Sequence, residues 1–275
     1  MQVMVENVET ATTSRGWVDR VVGPDWALAL RNFFLPVYCR ACHGRMLTEE
    51  NGFFCPGCWA SAPWVEPPLC TQCGRPHQRM IALGNAPDFP CADCREKPNK
   101  HIDRVYGIAR YHGVIMEAVK LFKFRARSRL ALPLGAAMVG FAAERMPVDD
   151  YDLIMPVPLH RVRLRQRGFN QSLLLAEQIL PVFPNAQIDQ SLQRIRPTRV
   201  QSRLKGPADR AANVRGAFAV LGDAVKGKTV LLVDDVVTTS GTVTECARML
   251  KRAGAVRVDV FTAALAYAGL HHDDL

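Results

Sequence analysis

Eight of the nine cysteines in this 275-residue chain fall into four Cys-x-x-Cys pairs: Cys39/Cys42, Cys55/Cys58, Cys70/Cys73 and Cys91/Cys94. Two intervening residues let a tight turn aim both sulfurs at one ion. Two such turns complete a tetrahedral tetrathiolate site, the arrangement that suits zinc. The 12 residues between Cys42 and Cys55 and the 17 between Cys73 and Cys91 each leave room for a ribbon. Gly44 and Gly74 supply the small residue that such turns favour. The eight cysteines are therefore expected to hold two structural Zn²⁺ ions. Sequential pairing keeps each loop short, and a crossed pairing stays open at this point. A redox Cys-x-x-Cys needs one pair rather than four, and a disulfide framework needs an oxidising compartment. His43 and His77 lie beside the cysteines but are not needed once four thiolates are present. The stretch is rich in Pro and Gly, so metal should supply much of its folding energy. Loss of a cysteine there is expected to unravel its ribbon and leave the C-terminal domain folded.

Lys plus Arg number 35 against 26 Asp plus Glu, a net of +9, and the whole surplus falls in residues 101–275. A polyanionic partner for that half follows: phosphates, pyrophosphate or nucleic acid. Eight thiolates on two zinc ions would leave residues 1–100 acidic, which argues against the cysteine module as the main nucleic-acid surface. Residues 1–7 are polar with no apolar run behind them, so export is not expected and a cytoplasmic location is. The longest charge-free apolar run, residues 130–143, holds Pro133, Gly135 and Gly140 and is too short to span a bilayer. It reads as a buried helix, and no membrane insertion is expected.

Periodicity changes near residue 101. Residues 105–111, 153–158, 229–233 and 256–265 read as strands. Val114, Ile115, Ala118, Val119 and Phe122 recur at helical spacing, as do Val243, Cys246, Ala247 and Leu250. Residues 169–180 are helical in pattern. Cys246 sits on an apolar helix face, which makes it a buried, inert thiol. Strands alternating with helices imply an α/β domain with a mostly parallel sheet flanked by helices. The expected organisation is a tail and short helix over residues 1–32, a double zinc ribbon over 33–100 and the α/β domain over 101–270. Pro24 and Pro36 bracket the short helix.

The sharpest motif is Val230-Leu231-Leu232-Val233-Asp234-Asp235-Val236-Val237-Thr238-Thr239-Ser240-Gly241-Thr242. A buried strand is expected to end at two adjacent carboxylates, where ligands of open α/β sheets bind. A hydroxyl-rich loop then opens a helix, exposing N–H groups to a phosphate. A ribose carrying a 5′-phosphate matches both halves. The stretch resembles the 5-phosphoribosyl-1-diphosphate (PRPP) signature of type I phosphoribosyltransferases, with Ser240 where Gly, Ala or Cys is usual. Three basic clusters accompany it, holding 16 of the 25 basic residues in 101–275. The first is Arg161, Arg163, Arg165 and Arg167 with Gly168, suited to forked contacts with pyrophosphate. The second is the polar stretch 194–215, with Thr198, Gln201, Arg210 and Asn213, expected to be a mobile loop closing over the site. The third is Lys120, Lys123, Arg125, Arg127 and Arg129.

Taken in order, the Pro-Val-Pro-Leu-His segment from Pro156, Arg167-Gly168-Phe169-Asn170-Gln171, the Thr198, Gln201, Arg210, Asn213 and Gly216-Ala217-Phe218 spacing and the Asp pair resemble the ComF family over roughly residues 30–268. That resemblance implies a zinc ribbon joined to a type I phosphoribosyltransferase-like domain, a PRPP pocket and a part in natural competence and the handling of single-stranded DNA. Two functions stay open. One is an enzyme that binds Mg²⁺-PRPP and transfers its phosphoribosyl group with release of pyrophosphate. No strong general base is visible for it, so stabilisation of the leaving group would carry most of the catalysis. The other is a non-catalytic single-stranded-DNA-binding competence protein with a PRPP- or nucleotide-sensing pocket.

Overall fold

A computed structural model of the chain describes residues 36–46, 52–77, 87–198, 207–238 and 241–266. The tail, the helix expected over residues 24–35, Gln201, Thr239 and Ser240 lie outside the described residues. The chain divides into two compact units, Met1–Cys55 and Pro56–Leu275. In the first, β1 (Val37–Tyr38) and β2 (Arg45–Met46) pair antiparallel around the first cysteine turn. Within that turn the Cys39 N–H donates to the Gly44 carbonyl at 2.9 Å.

The second unit is built on a parallel sheet of order β3-β9-β8-β4-β5. Its strands are β3 (Arg104–Gly107), β4 (Leu153–Pro156), β5 (Gln187–Ile188), β8 (Thr229–Val237) and β9 (Arg257–Leu265). Val230, Leu231, Leu232 and Val233 are all fully buried, because a central parallel strand is covered on both faces. Helices α3 (Gly113–Phe122), α4 (Ala131–Arg145) and α6 (Gln171–Ile179) cover one face. On the other lie α7 (Pro207–Val214) and α8 (Gly241–Arg252), whose Val243, Cys246, Ala247 and Leu250 pack on Val230, Leu232, Val258 and Val260. A two-stranded arm, β6 (Leu192–Arg194) with β7 (Phe218–Val220), stands beside the sheet. Short helices α1 (Pro56–Ala60), α2 (Ala92–Glu96) and α5 (Arg161–Arg167) complete the elements used below. No helix among the described residues is long and apolar enough to cross a membrane.

Two expectations change. The central strand does not end at the Asp pair: it runs on to Val237, because Val236 and Val237 pair with Ala264 and Leu265 of β9. The second cysteine turn is also not independent of the C-terminal domain. The Val105 N–H of β3 donates to the Gln72 carbonyl at 2.9 Å, the Val65 N–H to Ile108 at 3.0 Å and the Arg110 N–H to Pro63 at 2.8 Å. Gly74, at φ 72°, approaches so closely that a Cβ there would lie 2.5 Å from the Val105 carbonyl oxygen. The ribbon thus satisfies the backbone of the β3 edge, which would otherwise be open.

Metal analysis should find two zinc ions per chain; one or none would remove the second or both sites. Cys70→Ser should cost the sheet as well as the ribbon. Losing three edge hydrogen bonds at about 1 kcal/mol each lowers the melting temperature of the whole unit by roughly 5–10 °C. A calorimetric transition of the α/β domain unchanged by Cys70→Ser would show the ribbon to be a passive appendage.

Candidate functional site

The sulfurs of Cys39, Cys42, Cys55 and Cys58 all lie within 4.8 Å of one another, and so do those of Cys70, Cys73, Cys91 and Cys94. The pairing is sequential. Cys42 and Cys55 Sγ are 3.8 Å apart, and Cys73 and Cys91 Sγ are 3.9 Å apart. A tetrahedron with Zn–S bonds of about 2.3 Å has edges of about 3.8 Å, so both groups fit the ion. Backbone N–H groups of Ala41 and Cys55 point at Cys39 Sγ, and those of Cys73 and Cys91 at Cys70 Sγ. Hydrogen bonding from the Cys73 thiol leads the causes that hold Cys70 down at about 4, while Cys94, mainly by burial, is pushed up to about 12. The Cys73 and Cys94 thiols therefore resist ionisation, and Zn²⁺ would supply the positive charge that holds them as thiolates.

At the carboxyl edge of the sheet a cleft of about 520 Å³ gathers side chains from segments far apart in the chain. Strand β8 supplies Asp234 and Asp235, and the turn after it supplies Thr238, Gly241 and Thr242. Helix α5 supplies Arg163 and Arg167, four residues apart and therefore on one face. That helix starts on His160, whose Nδ1 accepts from the Val162 N–H, and stops at Gly168 in the left-handed region at φ 83°. Lys123, just past α3, and Arg194, the last residue of β6, complete the basic lining. The Asp234 carboxylate accepts from Ser172 Oγ at 3.1 Å and from the Asp235 N–H at 3.0 Å. Asp235, only 8% exposed, has Oδ2 3.7 Å from Lys123 Nζ. Burial, and then the charge of Asp235, push the Asp234 carboxyl up to about 7. Burial, opposed by Asp235, holds Arg167 below the usual arginine range, and Arg194 is lowered by burial and then by Arg163. Four cations thus face two carboxylates in a concave site, and such an arrangement binds a ligand carrying both anionic groups and hydroxyls.

A family model described as a phosphoribosyl transferase domain matches residues 170–274, and one described as a double zinc ribbon domain matches residues 30–95. The DNA utilization protein YhgH of Salmonella typhi is 35% identical over 196 residues, covering 70% of this chain and 82% of that protein. The YhgH protein of Escherichia coli K12 is 33% identical over 231 residues, covering 82% and 96%. Competence protein F of Haemophilus influenzae is 28% identical over 238 residues, covering 84% and 98%. The chain belongs to the ComF family.

Not every residue singled out in this ComF-family sequence reaches the cleft. Arg161 and Arg165 lie on the outer, exposed side of α5, away from Arg163 and Arg167. Gly168 ends that helix and does not line the cleft. Thr198 accepts from the Arg194 guanidinium, and the Asn213 carbonyl accepts from Arg196 at 3.1 Å. Arg210 belongs to α7. The stretch expected to be a loop is therefore carried on the β6–β7 arm and contains a helix. Its return is tied down by Glu245, which accepts from the Gly216 N–H at 2.7 Å and pairs with Arg248. Arg194 and Lys123 are cleft residues that sequence reasoning left among the general basic clusters. The strand pair Arg194↔Phe218, with the guanidinium 5.2 Å over the Phe218 ring, is what turns Arg194 inward.

The raised Asp234 carboxyl has a stability consequence. Its folded value of about 7 lies above the ordinary 3.8, so its ionisation destabilises the fold as pH rises from about 4 to 7. Asp234→Asn keeps an acceptor for Ser172 and removes the charge. Its melting temperature should match the parent at pH 4 and exceed it at pH 8; an excess independent of pH would rule out the buried charge.

Proposed function

We propose that the carboxyl-edge cleft binds PRPP with Mg²⁺ and that this ComF-family chain acts on single-stranded DNA during its uptake and use. The observation that carries the reading is the convergence of two adjacent carboxylates, a strand-to-helix turn and the Arg163/Arg167 pair on one cleft. Asp234 and Asp235 accept from the ribose 2′- and 3′-hydroxyls. Residues 238–242, Thr238, Thr239, Ser240, Gly241 and Thr242, donate N–H and hydroxyl groups to the 5′-phosphate at the start of α8. Arg163 and Arg167 neutralise the pyrophosphate, with Arg194 and Lys123 adding positive charge. In this reading the polar stretch that carries Thr198, Gln201, Arg210 and Asn213 closes over the bound diphosphate. Mg²⁺ supplies charge neutralisation to the diphosphate and is held mostly by the substrate's own oxygens and water.

In a transfer reaction, an acceptor nitrogen attacks the anomeric carbon and forms a C–N bond. The C–O bond to pyrophosphate breaks, and its electron pair leaves with the pyrophosphate. The arginines stabilise that charge as it develops. In this reading the two cleft carboxylates are engaged by the ribose hydroxyls, so the acceptor proton passes to solvent. The reading fits a reducing cytoplasm, where the zinc thiolates stay intact. Hydrogen bonds to charged groups are worth about 1.5–3 kcal/mol each. The Asp234→Asn, Asp235→Asn double variant should therefore bind PRPP ten- to a thousand-fold more weakly by calorimetry, with zinc content unchanged. Removing negative charge cannot itself repel a polyanion, so equal affinity would defeat the ribose reading. Pyrophosphate release with a panel of bases separates transferase from sensor.

The DNA part is supported by the names of the relatives and by exposed cationic and aromatic side chains in the α/β domain. Arg161 and Arg165 lie exposed on α5 beside Val162 and Leu164, and Phe124 is 64% exposed. Bases stack on exposed aromatics while cations follow the backbone. Arg161→Glu with Arg165→Glu should weaken binding of an oligodeoxynucleotide and make the salt dependence shallower by about 1 to 2 in log–log slope. An unchanged slope would move the strand to another surface.

A further inference from the structure

The residues just before β3 hold α8 near both of its ends. Asn99 Nδ2 donates to Thr244 Oγ1 at 3.2 Å, and Lys251 Nζ pairs with Asp103 at 2.7 Å. Thr244 and Lys251 are about two turns apart and lie on one face of the helix. Asp103 is fixed in turn to β9: its N–H donates to the Val258 carbonyl at 2.9 Å, and its carboxylate accepts from the Val258 N–H at 2.8 Å. Asn99 Oδ1 accepts from the N–H groups of His101 and Ile102 at 2.9 and 3.1 Å. The amide oxygen has to face those two donors, so the NH2 group faces Thr244. The Gln72 side chain grips the Asn99 backbone from the ribbon. Asn99 N–H donates to Gln72 Oε1 at 3.2 Å, and the Asn99 carbonyl accepts from Gln72 Nε2 at 3.3 Å. Gln72 lies between Cys70 and Cys73, in the turn that gives two sulfurs to the second tetrathiolate group. A continuous polar chain thus runs from that turn to the first turn of α8, whose Gly241, Thr242 and Val243 line the carboxyl-edge cleft.

We infer that Asn99 is a positioning residue for the phosphate end of the cleft, and that through it the second cysteine ribbon sets the aim of α8. The inference rests on the PRPP reading of the cleft. The buried face of α8, with Val243, Cys246, Ala247 and Leu250, holds the helix against the sheet by apolar contact. Such contact is non-directional and resists a small slide along the helix axis only weakly. Hydrogen bonds are directional, and N–H groups at a helix start reach phosphate oxygens over about 3 Å. A slide of α8 therefore costs affinity at the phosphate and nowhere else in the cleft, since Arg163 and Arg167 stand on α5. Thr244, Asn99 and Gln72 do not line the cleft and act only through the helix. The neighbouring Glu245 accepts from the Gly216 N–H, so the β6–β7 arm holds the same turn and loss of the Asn99 tie is a partial loss.

The test is calorimetry on the zinc-loaded full chain with PRPP, ribose 5-phosphate and pyrophosphate. Thr244→Val keeps the shape of the side chain and removes only the acceptor for Asn99. It should weaken ribose 5-phosphate and PRPP by about three- to ten-fold, the worth of one hydrogen bond, and leave pyrophosphate binding and zinc content unchanged. Thr244→Ser, which keeps the hydroxyl, should restore the parent affinities. Gln72→Ala should reproduce the effect of Thr244→Val, and the double variant should lose no more than either alone, because both cut one chain. Equal binding of ribose 5-phosphate by the parent and Thr244→Val overturns the inference alone. Pyrophosphate weakened as much as ribose 5-phosphate also overturns it, by showing a general loosening of the fold. Losses that add, or Gln72→Ala without effect, overturn the part given to the ribbon. A parent chain that binds none of the three ligands overturns the PRPP reading and this inference with it.

Discussion

Two carboxylates on neighbouring residues of a buried strand must be held where water is scarce, and the carboxyl edge of the sheet is arranged to partner them. Asp234 and Asp235 follow four fully buried apolar residues, so they cannot move outward without pulling the strand from its core. Relief comes from separate partners: Ser172 and a backbone N–H for Asp234, Lys123 for Asp235. Burial first, and then the charge of Asp235, still raise the Asp234 carboxyl to about 7. Arg163, Arg167 and Arg194 add positive potential to the same cleft. The site therefore holds more charge than its own hydrogen bonds settle. Hydroxyl donors at the carboxylates and anionic oxygens at the arginines would satisfy both excesses together.

The same sheet explains why a metal-bound ribbon is joined to an α/β domain. Strand β3 is an edge strand with only β9 beside it in the sheet. Residues 63–72 accept from the Arg110 N–H, donate to Ile108 and accept from the Val105 N–H, so the ribbon takes the place of a sixth strand. A ribbon with little apolar core of its own is rigid only when its thiolates share an ion. Edge protection of the sheet is then bought with metal affinity rather than with more chain.

Regular, buried elements were legible in the sequence. Val114, Ile115, Ala118, Val119 and Phe122 are the buried residues of α3, and the four apolar residues read from 243 to 250 are buried in α8. The cysteine grouping followed from spacing, with the pairing settled only by the fold. Other features had no local signal. Helix α5 is amphipathic in charge rather than in hydrophobicity: Val162 and Leu164 are exposed, so apolar periodicity could not find it. The run-on of β8 past the Asp pair depends on β9 having residues left to pair. Arg194 and Lys123 enter the cleft through contacts between segments far apart in the chain. Charge counting could place a basic half, but not choose which of its arginines face inward.

A parallel sheet makes its two edges chemically unlike. At the carboxyl edge, loops leave the strands and a helix begins, which gives N–H groups and mobile side chains for an anionic sugar. At the amino edge the strands begin on charged residues, Arg104 and Arg257, pinned by Asp88, Asp150 and Asp259. Strand β9 joins the two ends: Asp259 lies near its start, while Ala264 and Leu265 near its end pair with Val236 and Val237. Within the sheet, β9 therefore stands between β3, whose edge residues 63–72 cover, and β8, which carries the Asp pair.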